Sequence, residues 1–247
     1  MRVAALYDIH GNLPALDAVL ADLRQAEVDH IVVGGDVFPG PMPLEVLSRL
    51  AELGEPVHFL RGNGDRVVLT ARAGGEINEV PLPYRDVINW CAEILDDERA
   101  ARIVAWPATL RLRVDGVGDV LFCHATPRND TEIFTRRTPD DRLTPIFDGV
   151  ADLVVCGHTH MQFDRTVGTT RVVNAGSVGM PFAAPGAYWL LIGPGVELRR
   201  TAYDLDLAAA RVRATSYPKA EEFAARSILQ PPREDEMLEA YSRIELR

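Results

Sequence analysis

Cysteine is scarce in this chain: three residues in 247, at positions 91, 123 and 156, with no CxxC spacing. An odd, widely spaced set builds neither a disulfide framework nor a thiolate zinc site, and it suits a reducing compartment. Excess positive charge is lacking too. Lys and Arg number 26 against 36 Asp and Glu, a formal net charge of −10, so general nucleic-acid binding, which needs clustered cations, is not expected. No apolar run approaches the roughly 20 residues that cross a bilayer, and no membrane partner is expected. The N-terminus opens on the strand-like RVAALYD and lacks the basic, apolar and small-residue regions of a secretory leader, so the expected location is the cytoplasm. What is present, 47% apolar and 25% charged residues, is the composition of an ordinary globular protein, with length for one sizeable α/β domain or two small ones.

The first sixty residues alternate. RVAALYD, HIVVGGD and VHFLRG read as strands, separated by LPALDAVLADLRQA and PLEVLSRLAEL, whose apolar residues recur at helical spacing. Such βαβ units imply a parallel sheet covered on both faces. Residues 64–108 read as a mostly helical, cap-like insertion broken by Pro81 and Pro83. The pattern then turns antiparallel: Asp-Gly and Gly-Thr turns each join two alternating runs. A helix near 139–149 and the strand ADLVVC intervene. The expected fold class is α/β, a two-sheet mixed β-sandwich flanked by helices. The domain reading is 1–205 as one domain and 206–247 as a helical C-terminal extension.

Polar residues collect where the strands end. Asp8, His10, Asp36, Asn63, His124, His158 and His160 fall in DIHGN, GGD, GNGD, CH and GHTH. In open parallel α/β sheets, ligands bind outside the carboxyl ends of the strands. Each residue also has an ordinary reading: Asp8 and Asp36 as helix N-caps, Asn63 as a turn residue, a lone histidine as structural. The joint pattern favours chemistry, because four of the six histidines lie in these motifs; His30 and His58, in apolar strand runs, read as structural. Carboxylate, imidazole and amide oxygen, without thiolate, suit divalent Mn, Fe, Co, Ni or Zn. Seven ligands exceed one tetrahedral site and suit two ions about 3.5–4 Å apart, the clamp used for displacement at phosphorus. Two protein carboxylates against two divalent ions leave the site net positive, which reconciles an acidic chain with a phosphate substrate.

The blocks DIHGN, GGD, GNGD, CHATP and GHTH, in that order and followed by NAGSVG, resemble the calcineurin-like metallophosphoesterase superfamily, in particular its small bacterial and archaeal phosphodiesterase branch. The resemblance implies a four-layer fold and a binuclear centre of two divalent transition-metal ions, manganese first among the candidates. In it Asp8, His10 and His160 bind one ion, Asp36 bridges, and Asn63, His124 and His158 bind the other. A hydroxide between the metals is the implied nucleophile. Asn12 is implied to orient the phosphate or a ligand, and Asn174 and Ser177 to approach the centre, although NAGSVG also reads as a Gly-rich turn. Arg128 reads either as a phosphate contact or as a solvated loop residue.

One position departs from the larger phosphatase branches, which carry a histidine directly after the asparagine as the leaving-group acid. Here Gly64 follows, then Asp65, which reads as a replacement acid or as the N-cap of a helix beginning near Arg66. An ordinary aspartate is ionised at neutral pH and donates no proton. His124 or water is the alternative acid, and good leaving groups are favoured. The expected activity is hydrolysis of a small phosphate ester. Alternatives are a nucleotide pyrophosphohydrolase, a protein phosphatase, or a non-catalytic scaffold of the same fold, against which stand the seven retained ligands. Self-association into a homo-oligomer is left open.

Overall fold

The computed structural model describes residues 1–54 and 56–246. Strands β1 (Val3–Leu6), β2 (His30–Val33) and β3 (Val57–Phe59) alternate with helices α1 (Leu13–Ala26) and α2 (Pro43–Ala51), then α3 (Asn63–Arg72), α4 (Arg85–Ile94) and α5 (Asp97–Val104). The second half runs β4 (Thr109–Val114), β5 (Gly118–Cys123), α6 (Asp140–Phe147), β6 (Leu153–Cys156), β7 (Phe163–Val167), β8 (Thr170–Asn174), β9 (Ala187–Ile192) and β10 (Val196–Thr201). Helices α7 (Leu205–Arg213), α8 (Ala220–Phe223), a π-helical turn (Ala224–Leu229) and α9 (Glu234–Ser242) close the chain.

Two five-stranded mixed sheets result, ordered β10-β9-β1-β2-β3 and β4-β5-β6-β8-β7. The two-residue period of a strand assigns alternate side chains to different cores. In β1, Ala4 and Leu6 enter the core beneath the helices, while Val3 and Ala5 meet the second sheet. In β6, Leu153 and Val155 face that same inter-sheet core, and Val154 and Cys156 face a third one with Phe147 of α6. Helices, sheet, sheet and helix are therefore stacked as four layers with three cores between them.

The segments read as an insertion and an extension both share the first of these cores. Val87, Ile88 and Cys91 of α4 pack there, as do Ala209, Val212, Phe223 and Ile228. None of the helices among the described residues is long and apolar enough to cross a membrane. All three cysteines are buried and free; burial pushes the Cys91 thiol up to about 12, so the thiols pack as small apolar groups.

Candidate metal centre

The parallel strands of both sheets end at one edge, and there the candidate ligands meet. Asp8 and His10 follow β1, Asp36 follows β2, Asn63 follows β3, His124 follows β5, and His158 and His160 follow β6. Asp8, His10 and His160 can offer ligand atoms to one ion, and Asp8, Asp36 and His124 to another. His160 Nε2 is 3.4 Å and His124 Nε2 3.8 Å from Asp8 Oδ1. Asp36 Oδ2 lies 3.8 Å from His10 Nε2 and 3.6 Å from His124 Nε2. Each carboxylate thus stands between two imidazoles. Asn63 Oδ1 is 3.0 Å from His124 Nε2, and the His158 ring centroid is 5.2 Å from that of His124.

Backbone conformation singles out the same residues. Seven described non-glycine residues have positive φ, and five of them are Asp8, His10, Asp36, His158 and His160. This left-handed region costs an ordinary side chain about 1–2 kcal/mol, less for Asp and His, and such conformations cluster at functional sites.

The hydrogen bonds fit a cation. A carbonyl oxygen can only accept, so the nitrogen facing it carries the proton. His10 Nδ1 meets Pro39 O at 3.0 Å, His124 Nδ1 meets Gly34 O at 2.9 Å, and His160 Nδ1 meets Met180 O at 2.7 Å. In the neutral rings this leaves every Nε2 as a lone pair aimed inward, the arrangement of a metal-ligating imidazole. His10 Nε2 and His160 Nε2 then face each other at 3.3 Å, repulsive without a cation or a shared proton. Asp8 Oδ1 is buried and has no hydrogen-bond partner among the described residues. Its other oxygen accepts from His158 N at 2.8 Å, and Asp36 Oδ1 accepts from Gly64 N at 2.7 Å, so one oxygen of each carboxylate is anchored.

The ion-free charges are finely opposed. Burial pushes Asp8 and Asp36 up, but surrounding imidazoles outweigh it and both carboxyls lie below their usual range. Burial pushes His124 down, but Asp36 and Asp8 outweigh it and raise the imidazole to about 10. Burial lowers His10, and lowers His158 to about 4 with help from His124. A histidine raised in the folded state stabilises fully below its unfolded pKa near 6.5, and that contribution is lost as pH rises through about 10. Chelator-treated protein should therefore lose thermal stability between pH 7 and 10, read by calorimetry. If His124 ligates a metal, binding displaces its proton, and loaded protein should show no such loss from this group.

Asp65 is occupied otherwise. The helix begins at Asn63, not near Arg66, which puts Asp65 at its third position with Gly62 as N-cap. Its carboxylate accepts from Asp36 N (2.9 Å), Gly62 N (3.0 Å) and Phe38 N (3.0 Å). Burial and the Asp36 charge raise its pKa to about 7, yet three N–H donors fit the ionised form. Asp65 thus clamps the loop after β2 to the start of α3, fixing Asp36 relative to Asn63.

The neighbouring glycine is explained by space, since Gly62 has φ −90°. A Cβ there would lie 2.2 Å from Asp36 Oδ1 and 2.6 Å from Asp36 N. Gly62→Ala is expected to cost about 1–3 kcal/mol and to reduce bound metal, measured by denaturant unfolding and elemental analysis.

The other sequence candidates serve as supports in this geometry. Asn12 caps α1 through Ala15 N and donates to Gly179 O at 3.0 Å. Ser177 Oγ donates to Asp8 O and accepts from Met180 N, both at 2.7 Å, bracing Asp8 and the carbonyl that orients His160. Asn174 donates to Gly157 O at 2.6 Å, holding the backbone before His158. Arg128 pairs with Glu132 and does not line the site cavity. His30 and His58 face each other at 3.0 Å on neighbouring strands, apart from the cluster. Phe182, stacked on His160 at 4.9 Å between centroids, carried no sequence signal, being an aromatic residue in a loop.

A family model for the calcineurin-like phosphoesterase superfamily domain matches residues 1–192. The chain belongs to the calcineurin-like phosphoesterase superfamily. Within it, the chain is 29% identical over 163 residues to an uncharacterised protein of Methanocaldococcus jannaschii, covering 65% of this chain and 63% of that one. It is 29% identical over 108 residues to phosphodiesterase YfcE of Escherichia coli K12, covering 40% and 54%. The matches thus span less than two thirds of either relative. Among solved structures, a hypothetical protein of Pyrococcus horikoshii superposes with a TM-score of 0.77 at 21% identity, covering 94% of this chain and 99% of that one. A metallophosphoesterase of Sphaerobacter thermophilus superposes with a TM-score of 0.69 at 24% identity, covering 91% and 97%. These two share the calcineurin-like phosphoesterase fold with this chain.

Proposed function

We propose that this phosphoesterase-family chain is a binuclear-metal phosphodiesterase for small phosphate esters. The observation that carries this reading is the pair of adjoining ligand groups at one strand edge, with Asp36 Oδ2 between His10 and His124. Asp8, His10 and His160 would hold one divalent ion; Asn63, His124 and His158 the other; Asp36 would serve both. When bound, such ions supply Lewis-acid charge for phosphoryl oxygens and lower the pKa of water toward neutrality. Manganese is the first metal to try, since the donor set also accommodates iron, cobalt, nickel and zinc.

The chain's own residues arrange the rest. Pro39, Gly34 and Met180 carbonyls fix the imidazole tautomers, and Gly64 N and His158 N fix the carboxylates. His10, Asp36, Asn63, His158 and His160 line a cavity of about 960 Å³, which gives an ester access to the cluster. Although its pKa is raised to about 7, Asp65 is buried, both of its oxygens accept from amides and it does not line that cavity, so it is not placed to protonate a departing alkoxide. Esters of acidic alcohols should react best. A scaffold role is disfavoured because all seven candidate ligands are present and five of them sit in left-handed backbone, a conformation that clusters at functional sites.

Manganese-loaded protein is expected to hydrolyse bis(p-nitrophenyl) phosphate faster than a simple dialkyl phosphate by several orders of magnitude, and His124→Ala should abolish turnover. Equal hydrolysis by wild type and His124→Ala would assign the activity to another site or a contaminant.

A further inference from the structure

Beyond the ligand cluster, the cavity continues between the Val80–Tyr84 segment and the C-terminal helices. Its 960 Å³ lies at the upper end of cavities that enclose a whole organic ligand and far exceeds the needs of one phosphate. Tyr84, Tyr217 and Phe223 form part of this outer wall. Besides histidine, three cations line the cavity, and two are neutralised. Arg66 pairs with Asp130 and Glu79, and Lys219 pairs with Glu222 while lying 4.9 Å from the Tyr84 ring centroid.

Arg226 is different. Among the described residues it makes no side-chain hydrogen bond or ion pair, although it lines the cavity. The next residue, Ser227, is only 6% exposed and also lines the cavity, and among the described residues its hydroxyl has no hydrogen-bond partner. The hydroxyl is not sealed away from the cavity, so it is free to meet a ligand or water there. Both residues sit in the π-helical turn Ala224–Leu229, a rare widening of the helix that often marks functional sites.

We infer that Arg226 and Ser227 form a second anion subsite, walled by Tyr217 and Phe223, for the remote end of a phosphoester that carries two anionic groups and an aromatic ring on one organic body. The subsite rests on the phosphoesterase reading for which group is cleaved. Arg226 would make charge-assisted hydrogen bonds to the remote anion and Ser227 would donate its hydroxyl proton, while the rings cover the body between.

Calorimetric titration of the manganese-loaded full-length protein tests this without requiring turnover, with thymidine 3′,5′-bisphosphate and thymidine 5′-monophosphate as probes. Wild type should bind the bisphosphate about 10-fold more tightly. In Arg226→Gln that preference should collapse to about onefold, and in Ser227→Ala it should fall about threefold. Manganese content equal to wild type shows that each variant is folded at the metal end. Equal binding of the two probes by wild type, or an undiminished preference in Arg226→Gln, would overturn the subsite. A wild type that discriminates between them yet hydrolyses no diester would support the subsite and refute the phosphodiesterase reading alone.

Discussion

Replacing Asp36 with asparagine is expected to lower diester turnover at least about 100-fold, and to remove at least one metal equivalent, while the protein remains folded. Mutations one shell further out typically cost 10–100-fold in metal affinity or activity, and Asp36 stands closer. Its Oδ2 lies between His10 and His124 at 3.8 and 3.6 Å. Asparagine supplies one neutral oxygen or one amide, and either choice loses a negative charge beside both proposed ion positions. The variant also removes the charge of Asp36, the leading cause of the upward shift of His124, so that imidazole should titrate lower than in the chelator-treated wild type. NMR of the ring protons in metal-free protein would read that change. Wild-type turnover and metal content in Asp36→Asn would show that the carboxylate serves neither ion.

Asp65→Asn is expected to act on stability first. Asparagine keeps one acceptor oxygen and turns an N–H donor toward amide donors that now face a carboxylate. Hydrogen bonds to charged groups contribute about 1.5–3 kcal/mol each, and three are affected. A loss of about 3 kcal/mol is expected, or a Tm lowered by roughly 6–12 °C for a domain of this size. Because Asp36 and Asn63 are both positioned through this clamp, metal affinity should fall as well. The discriminating readout is the dependence of kcat on leaving-group pKa, measured with a series of aryl esters at saturating metal. A clamp leaves that slope unchanged; a proton donor would make it steeper when removed.

The sequence and the structure agree most closely where chemistry and strand ends coincide. DIHGN, GGD, GNGD and GHTH stand out because they place Asp, His and Asn directly after Val- and Leu-rich strands, and five non-glycine residues of DIHGN, GGD and GHTH also have positive φ. The two-sheet architecture was legible from the change of pattern, a βαβ half followed by hairpins, whereas the division of β1 and β6 side chains between different cores leaves no mark in strands that are apolar throughout. Asp65 could not be resolved in the same way. Its role depends on Asp36 N and Phe38 N, which lie 29 and 27 residues earlier in the chain. The same holds for Ser177 and Asn174, whose partners are backbone carbonyls on other strand ends. Arg226 and Ser227 were invisible for a further reason: helical spacing marks the face that packs, and carries no mark for a cavity on the other side of the same turn.

Elemental analysis of the full-length protein, expressed with manganese supplementation and desalted, tests the binuclear centre most directly. Two transition-metal equivalents per chain are expected for wild type, falling to one or fewer in Asp36→Asn. A wild-type protein that holds one equivalent or only a trace, and binds no second ion on titration at pH 7.5, would contradict a binuclear centre built from Asp8, His10, Asp36, Asn63, His124, His158 and His160.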